Sequence, residues 1–106
     1  MCAARASTAR LKLSMLHLIA YDIGHPRRLR RVAKICANYG VRMEKSVFEC
    51  DLTDEQMAQF WNRLCKVVDE DEDRVFDYRI GVLERRNIRR LGRSPETPDA
   101  EEILVL

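Results

Sequence analysis

Residues 15–31 read MLHLIAYDIGHPRRLRR, and this stretch decides the fold. Residues 16–20 are apolar except for His17, a near-continuous run that is typical of a strand buried on both faces. The run ends at Tyr21-Asp22. Pro26 fits the first position of a helix, where its missing N–H costs nothing. The stretch therefore predicts a strand, a turn and a helix, with a carboxylate at the end of the strand.

The remaining chain supplies the elements of a small α+β domain. The first helix is predicted to run to about Tyr39. Thr53 opens a second helix, with a capping box completed by Gln56. Further strands are predicted at Val41–Glu44, Val47–Asp51 and Val75–Leu83. The order β-α-β-β-α-β predicts a ferredoxin-like sandwich, an antiparallel sheet with both helices on one face.

Apolar side chains mark the faces that the core should use. The helical spacing predicts two stripes, formed by Leu29, Val32, Ala33 and Cys36 and by Met57, Phe60, Trp61, Leu64, Cys65 and Val68. In the last predicted strand of the sandwich, Phe76, Tyr78 and Ile80 share the face opposite to Asp77 and Arg79. The sheet face without helices needs cover, and a symmetric homodimer is the simplest cover.

The two ends of the chain are expected to differ from its middle. With 106 residues, the chain is predicted to form one domain over residues 15–106. Residues 1–14 are interpreted as a disordered or over-extended leader. Ile103–Leu106 form an apolar tail, which predicts an extra C-terminal strand that needs a sheet edge, in this chain or in a second protomer.

The net charge of +2 hides three blocks of opposite sign. Residues 24–45 hold seven basic residues and one acidic residue, residues 49–73 hold nine acidic and two basic, and residues 74–94 hold seven basic and two acidic. Such segregation suits an anionic partner such as nucleic acid. The alternative is that the arginines solvate helix faces, and the acidic run Asp69–Asp73 is interpreted as a solvated turn.

The cysteines and histidines favour no metal site of their own. The four cysteines form no CxxC pair and the chain has two histidines, which argues against zinc. Unpaired cysteines on apolar helix faces indicate a reducing compartment, so a cytoplasmic location is expected. No apolar run reaches the roughly 18 residues that a membrane span needs.

Asp22 is the candidate catalytic and metal-binding residue. A strand-end Asp is often only a helix cap, but here Pro26 starts the helix too late for that role. Arg27, Arg28, Arg30 and Arg31 crowd it, and arginine is well shaped for phosphate. Magnesium commonly uses one or two carboxylates with waters and substrate phosphate, and a two-fold dimer would bring two copies of Asp22 together.

The sequence resembles the second CRISPR-associated (Cas) protein family, the small adaptation subunit. Three segments carry the resemblance: Tyr21-Asp22-Ile23 with the helix start Pro26–Val32, then Tyr39–Arg42 running through Ser46–Glu49, and Leu52-Thr53 followed by the acidic turn and a strand ending near Ile80. Together they cover residues 15 to about 83.

The resemblance implies a ferredoxin-like homodimer that holds one magnesium ion between the two copies of Asp22. It also implies that Tyr21, Arg28, Arg31, Arg42 and Phe48 lie where the family has its other implicated residues, so these join Arg27 and Arg30 as predicted nucleic-acid contacts. The tail resembles the family's last strand, which often crosses to the partner protomer.

Three functions stay open at this point. The first is a metal-dependent endonuclease on RNA or duplex DNA that supports spacer acquisition. The second is a non-catalytic DNA-binding scaffold for the CRISPR integrase subunit. The third is a related ferredoxin-like ribonuclease toxin. The sequence does not rank RNA against DNA.

Overall fold

The computed structural model describes residues 13–93 and 95. Its elements in chain order are β1 (Met15–Asp22), α1 (Pro26–Ala37), β2 (Val41–Glu44), β3 (Val47–Leu52), α2 (Asp54–Cys65), β4 (Arg74–Ile80) and α3 (Val82–Arg85). The predicted C-terminal strand and all but two residues of the predicted leader lie outside the described residues, so both stay predictions.

The four strands form one sheet in the order β2-β3-β1-β4, and all neighbours are antiparallel. Side chains of α1 and α2 pack with one face of this sheet in a single core. This arrangement confirms the predicted α+β, ferredoxin-like sandwich. None of the described helices is long and apolar enough to cross a membrane.

Strand β1 divides its side chains between two environments, because successive residues of a strand point to opposite faces. Ile19 and Tyr21 are buried in the helix-packed core. Leu18 and Ala20 point to the other face and are only half-buried. The expectation of a strand buried on both faces is therefore confirmed at Leu16, whose outward side chain is 5% exposed, and is wrong at Leu18 and Ala20.

His17 occupies an inward position that an apolar residue would be expected to take. It is 3% exposed, and its Nδ1 lies 2.8 Å from Oδ1 of Asp77 on the neighbouring strand β4. Its Nε2 is buried without a hydrogen-bond partner among the described atoms. The Asp77 carboxylate thus compensates for part of the cost of burying an imidazole.

The predicted helix faces are confirmed at their centres and wrong at their margins. Val32 and Cys36 of α1 and Phe60 and Leu64 of α2 are buried. Of the other members of the two stripes, Leu29, Trp61 and Cys65 are exposed. Residues four apart stay on the same side of a helix, whereas Trp61 and Cys65 are each rotated by about 100° from the buried pair.

The ends of the two long helices follow the sequence signals. Pro26 begins α1 as predicted, and the His25 side chain, not Asp22, caps it by accepting from the backbone N–H of Arg27 at 3.1 Å. Thr53 and Gln56 form the predicted reciprocal capping box of α2. Asp22 is therefore not used as a helix cap.

The sheet face opposite the helices carries exposed apolar side chains on β4. Phe76 and Tyr78 are 46% and 56% exposed, and their rings lie 6.3 Å apart. Pairing of β4 with β1 puts them beside Ala20 and Leu18, so they form one apolar surface, which we call the open face. The predicted alternation along β4 is confirmed. The strand ends at Ile80, however, and the short helix α3 replaces its predicted last residues.

Gly40 is required where the chain turns from α1 into β2. A Cβ at this position would overlap the carbonyl oxygen of Glu49 and Sγ of Cys50, which are fixed parts of β3. We therefore expect Gly40→Ala to lower the free energy of unfolding by about 2 kcal/mol, as overpacked cores do. Chemical denaturation measures this change.

Gly81→Ala is the matched control for Gly40→Ala. A Cβ at Gly81 meets only the flexible end of the Glu84 side chain, which can rotate away. Equal destabilisation by the two substitutions would contradict the steric explanation.

Candidate nucleic-acid and metal site

Asp22 is the last residue of β1, and its side chain is exposed. The buried Tyr21 before it points into the core, so alternation directs Asp22 to the open face. Asp22 borders a surface groove of about 810 Å³ that also reaches Leu29, Arg42 and Lys45. Leu29, a predicted core residue that is 40% exposed, lies on the wall of this groove.

Arg74 is a candidate site residue that the sequence analysis missed. It begins β4 and stands directly opposite Asp22 in the β1–β4 register. Directly opposed residues of antiparallel strands share a sheet face, so Asp22 and Arg74 lie on the same face at this end of the sheet, although no ion pair joins them among the described contacts. The sequence alone gave little indication of this pairing, because Asp22 and Arg74 are 52 positions apart and only the register of β1 against β4 places them opposite each other.

Tyr21 and Phe48 belong to the core and not to an exposed surface. Their side chains are 5% and 1% exposed, and the two rings lie 6.3 Å apart. The Tyr21 hydroxyl donates to the carbonyl oxygen of Lys45 at 3.2 Å. Burial raises the pKa of Tyr21, so the phenol stays neutral at physiological pH. This burial does not favour direct contact of either ring with nucleic acid.

Arg42 is exposed but is also tied to the same turn. Its Nη2 donates to the carbonyl oxygen of Lys45 at 2.7 Å, and its guanidinium lies 5.5 Å from the centre of the Phe48 ring. Tyr21 and Arg42 thus both hold the turn between β2 and β3. Glu44 and Lys45, which flank this turn, line the groove beside Asp22.

The arginines of α1 divide into two groups. Arg27, Arg30 and Arg31 are exposed, and none of their side chains makes a hydrogen bond or ion pair with another described residue. They are free to meet phosphate groups. Arg28 is different, because its guanidinium is bound by the acidic run before β4.

The Arg28 guanidinium donates from Nε to Oδ2 of Asp73 at 2.8 Å and from Nη2 to Oδ1 at 3.1 Å. Nη2 also donates to Oε1 of Glu72 at 3.2 Å. The Asp73 side chain is fully buried, so interpreting the whole acidic run as a solvated turn was wrong. These hydrogen bonds hold the pKa of Asp73 well below its usual range and raise that of Arg28.

The basic segment that follows β4 is partly neutralised within the chain. Arg85 donates to Asp51 at 2.9 Å, and Arg90 donates to Glu49 at 2.8 Å. Both acceptors lie on β3 and alternate with its buried residues, so these pairs fall on the side of the sheet away from the helices. The pKa of Asp51 is lowered mainly by a hydrogen bond from the Ser14 side chain and, to a smaller extent, by the pairing with Arg85.

The carboxylate oxygens at the groove suit a hard cation such as magnesium, which takes most of its remaining ligands from water. Across residues 13–93 and 95, no cluster of three or more His, Cys, Asp or Glu side chains could hold a metal ion. The groove has the Asp22 and Glu44 carboxylates, and magnesium is commonly held by one or two carboxylates. The residues therefore fit a weak magnesium site and do not fit zinc.

The fold and the site define a small α+β protein with a strand-end carboxylate and free arginines on one helix. Residues 15–88 match the family model described as CRISPR associated protein Cas2. The chain belongs to this family.

Individual relatives agree with this assignment. A CRISPR-associated endonuclease Cas2 of Halalkalibacterium halodurans is 38% identical over 96 residues, which cover 86% of this chain and 99% of that protein. Other similar proteins are described as CRISPR-associated endoribonucleases.

Solved structures share the fold. The Streptococcus pyogenes Cas2 crystal structure at pH 6.5 has a TM-score of 0.65 and 37% identity, covering 74% of this chain and 100% of that one. A chain from a partial Cas6-RT-Cas1–Cas2 complex has a TM-score of 0.64 and 19% identity over 76% of this chain and 88% of its own. The latter likeness concerns the fold alone.

The Asp73 carboxylate should make the stability of the fold depend on pH. Its pKa in the folded chain is lowered, so its ionised form stabilises the fold at neutral pH, and this contribution is lost as the pH falls below about 4. We expect Asp73→Asn to melt at a lower temperature than the native chain at pH 7. The gap should shrink as the pH falls from about 5 to about 2.

Thermal melts followed by circular dichroism across this pH range measure the gap. Asp71→Asn removes an exposed carboxylate from the same turn and serves as the control, with melts expected to parallel those of the native chain. A gap between Asp73→Asn and the native chain that stays constant with pH would contradict the explanation.

Proposed function

We propose that this chain is an endonuclease that acts on the phosphodiester backbone of RNA or duplex DNA, with Asp22 as its catalytic residue. The observation that carries the proposal is the position of Asp22, an exposed carboxylate opposite Arg74 and beside a groove lined by Arg42 and Lys45. A carboxylate has few structural reasons to be there, since His25 caps the following helix.

The proposed site is completed by a second copy of the chain. Asp22 lies on the same side of the sheet as the exposed Phe76 and Tyr78, so a symmetric dimer formed through the open face would bring two Asp22 carboxylates towards each other. We propose that the pair holds one magnesium ion. Magnesium bound there would polarise the scissile phosphate and help to activate a water.

The remaining residues would bind and orient the substrate. Arg27, Arg30 and Arg31 are proposed to contact phosphate groups, since they are exposed and have no partner among the described residues. Arg42, which lines the groove beside Asp22, would also contribute while it holds the β2–β3 turn. For the buried Tyr21 and Phe48 we propose support of that turn in place of direct contact.

The endonuclease proposal predicts that Asp22→Ala abolishes cleavage without unfolding the protein. Nuclease assays on single-stranded RNA and duplex DNA, with and without magnesium, measure the effect. We expect a loss of at least about 100-fold, because removal of a catalytic group commonly has effects of that size.

Asp71→Ala is the matched control, since it removes an exposed carboxylate outside the groove. Magnesium-dependent cleavage retained by Asp22→Ala would refute the role of Asp22.

The dimer proposal predicts that a charge on the open face separates the protomers. Tyr78→Asp places a carboxylate in the middle of the apolar surface, where burial of an unpaired charge is costly. We expect the native chain to sediment as a dimer and this variant to sediment as a monomer. Gln59→Asp adds the same charge to an exposed position of α2 and should stay dimeric. A dimeric Tyr78→Asp would contradict the use of this face.

A second candidate function is a non-catalytic scaffold that holds DNA for the CRISPR integrase subunit. What favours it is the sparse set of metal ligands within the described residues of one protomer. A chain of the same fold occurs in a partial Cas6-RT-Cas1–Cas2 complex, so the fold is compatible with assembly of this kind. Under this function Asp22→Ala would leave DNA binding and integrase binding intact. The family match favours both of these functions over a ribonuclease toxin.

A further inference from the structure

The carboxylate of Asp73 is the most densely bonded side chain around the proposed site. It accepts from the backbone N–H of Gly24 at 2.8 Å and from the backbone N–H of Asp69 at 2.8 Å. It also accepts two hydrogen bonds from the Arg28 guanidinium. Four hydrogen bonds to one fully buried carboxylate satisfy both of its oxygens.

These bonds join segments that are far apart in sequence but adjacent to Asp22. Gly24 lies two residues after Asp22, and Arg28 lies in the first turn of α1. Asp73 itself directly precedes Arg74, the residue opposite Asp22. The ends of β1 and β4 are thus held together by the Asp73 carboxylate at the point where the proposed reaction would occur.

The same bonds make Arg28 a poor phosphate contact. Two of its three guanidinium nitrogens already donate to carboxylates. Two carboxylates, those of Asp73 and Glu72, face this one guanidinium, so the group offers a phosphate no uncompensated positive charge. A phosphate would have to displace a bidentate, buried carboxylate, and breaking such a pair leaves an uncompensated charge.

We propose that Arg28 and Asp73 are a positioning pair that fixes the end of β1, and that Arg28 does not contact nucleic acid. Arg28 acts through Asp73, and Asp73 holds the Gly24 backbone that follows Asp22. This assignment differs from the one that the family resemblance implies for Arg28. The expected effect of this pair on cleavage rests on the proposed endonuclease function. The expectation that Arg28 does not contact nucleic acid is independent of that function.

The first experiment measures how binding of a duplex DNA fragment depends on salt. A lost phosphate contact lowers the slope of log K against log salt by about 0.9 per contact. Arg30→Ala removes an unpartnered arginine from the same helix, so we expect it to lower the slope by about that amount for each protomer that contacts the duplex. Arg28→Ala is expected to leave the slope unchanged. An equal loss of slope in Arg28→Ala would overturn the proposal.

The second experiment tests geometry through Arg28→Lys. Lysine keeps the positive charge but lacks the planar fork that binds both oxygens of Asp73. A phosphate contact would be largely retained by lysine, whereas a positioning pair would fail. We therefore expect Arg28→Lys to cleave about as poorly as Arg28→Ala, with a kcat lowered about 100-fold and little change in KM. Rescue of kcat by lysine would overturn the proposal.

The third experiment tests whether the two residues act as one unit. The double variant of Arg28→Ala and Asp73→Asn should lose kcat by no more than the larger of the two single losses, because Arg28 acts only through Asp73. Losses that multiply in the double variant would overturn the proposal.

Hydrogen exchange at the Gly24 amide provides a readout that requires no activity. This amide donates to Asp73, so it should exchange at least about 10-fold faster in Asp73→Asn and in Arg28→Lys than in the native chain, while amides of β1 and β3 keep their protection. Unchanged Gly24 exchange would overturn the proposal. If the native chain shows no Asp22-dependent cleavage, the endonuclease proposal fails, and the salt slope and Gly24 exchange still decide the role of Arg28.

Discussion

The alternation of side chains along β1 is the constraint on which the rest of the molecule depends. β1 is hydrogen-bonded to β3 on one side and to β4 on the other, so its register is fixed twice. Ile19 and Tyr21 enter the helix-packed core, and Asp22 must therefore point to the opposite face. A slip by one residue would bury the carboxylate and expose the tyrosine, at a cost that no surface contact would offset. The position of the proposed catalytic group is thus a consequence of core packing.

The basic and acidic segments of the sequence are partly explained by ion pairs that they form with each other within the chain. Basic α1 contacts the acidic run through Arg28 and Asp73, and the basic segment after β4 contacts β3 through Arg85 and Arg90. The Arg85 pair is solvent-exposed on both sides, and the Arg90 guanidinium is about half-exposed, so these pairs contribute little stability. The Arg28 pair differs, because its carboxylate is buried and fully hydrogen-bonded. Charge counts along a sequence therefore overstate the surface that is free for nucleic acid.

The sequence predicted those features that depend on interactions between residues close together in the chain. Pro26 and the Thr53 capping box marked helix starts, and the alternation of Phe76 and Tyr78 marked the open face, because these features depend on residues a few positions apart. Arg74 and Asp73 could not be recognised in this way. Their roles depend on the register of β4 against β1 and on hydrogen bonds that cross some 45 positions. The exposure of Leu29 was likewise missed, since helical periodicity does not reveal where the sheet beneath a helix ends.

The two halves of the proposed site lie in different layers of the sandwich. Arg27, Arg30 and Arg31 belong to the helix layer, whereas Asp22 points away from it. A nucleic acid bound by these arginines reaches Asp22 only by passing around the end of the sheet, where β1 turns into α1. This turn is the segment that Asp73 holds through the Gly24 amide. Binding and cleavage would then depend on different parts of the chain. Binding requires only the exposed arginines, whereas cleavage also requires the turn between β1 and α1 to keep its conformation. Loss of that conformation would leave a protein that still binds nucleic acid, which is the behaviour of a scaffold.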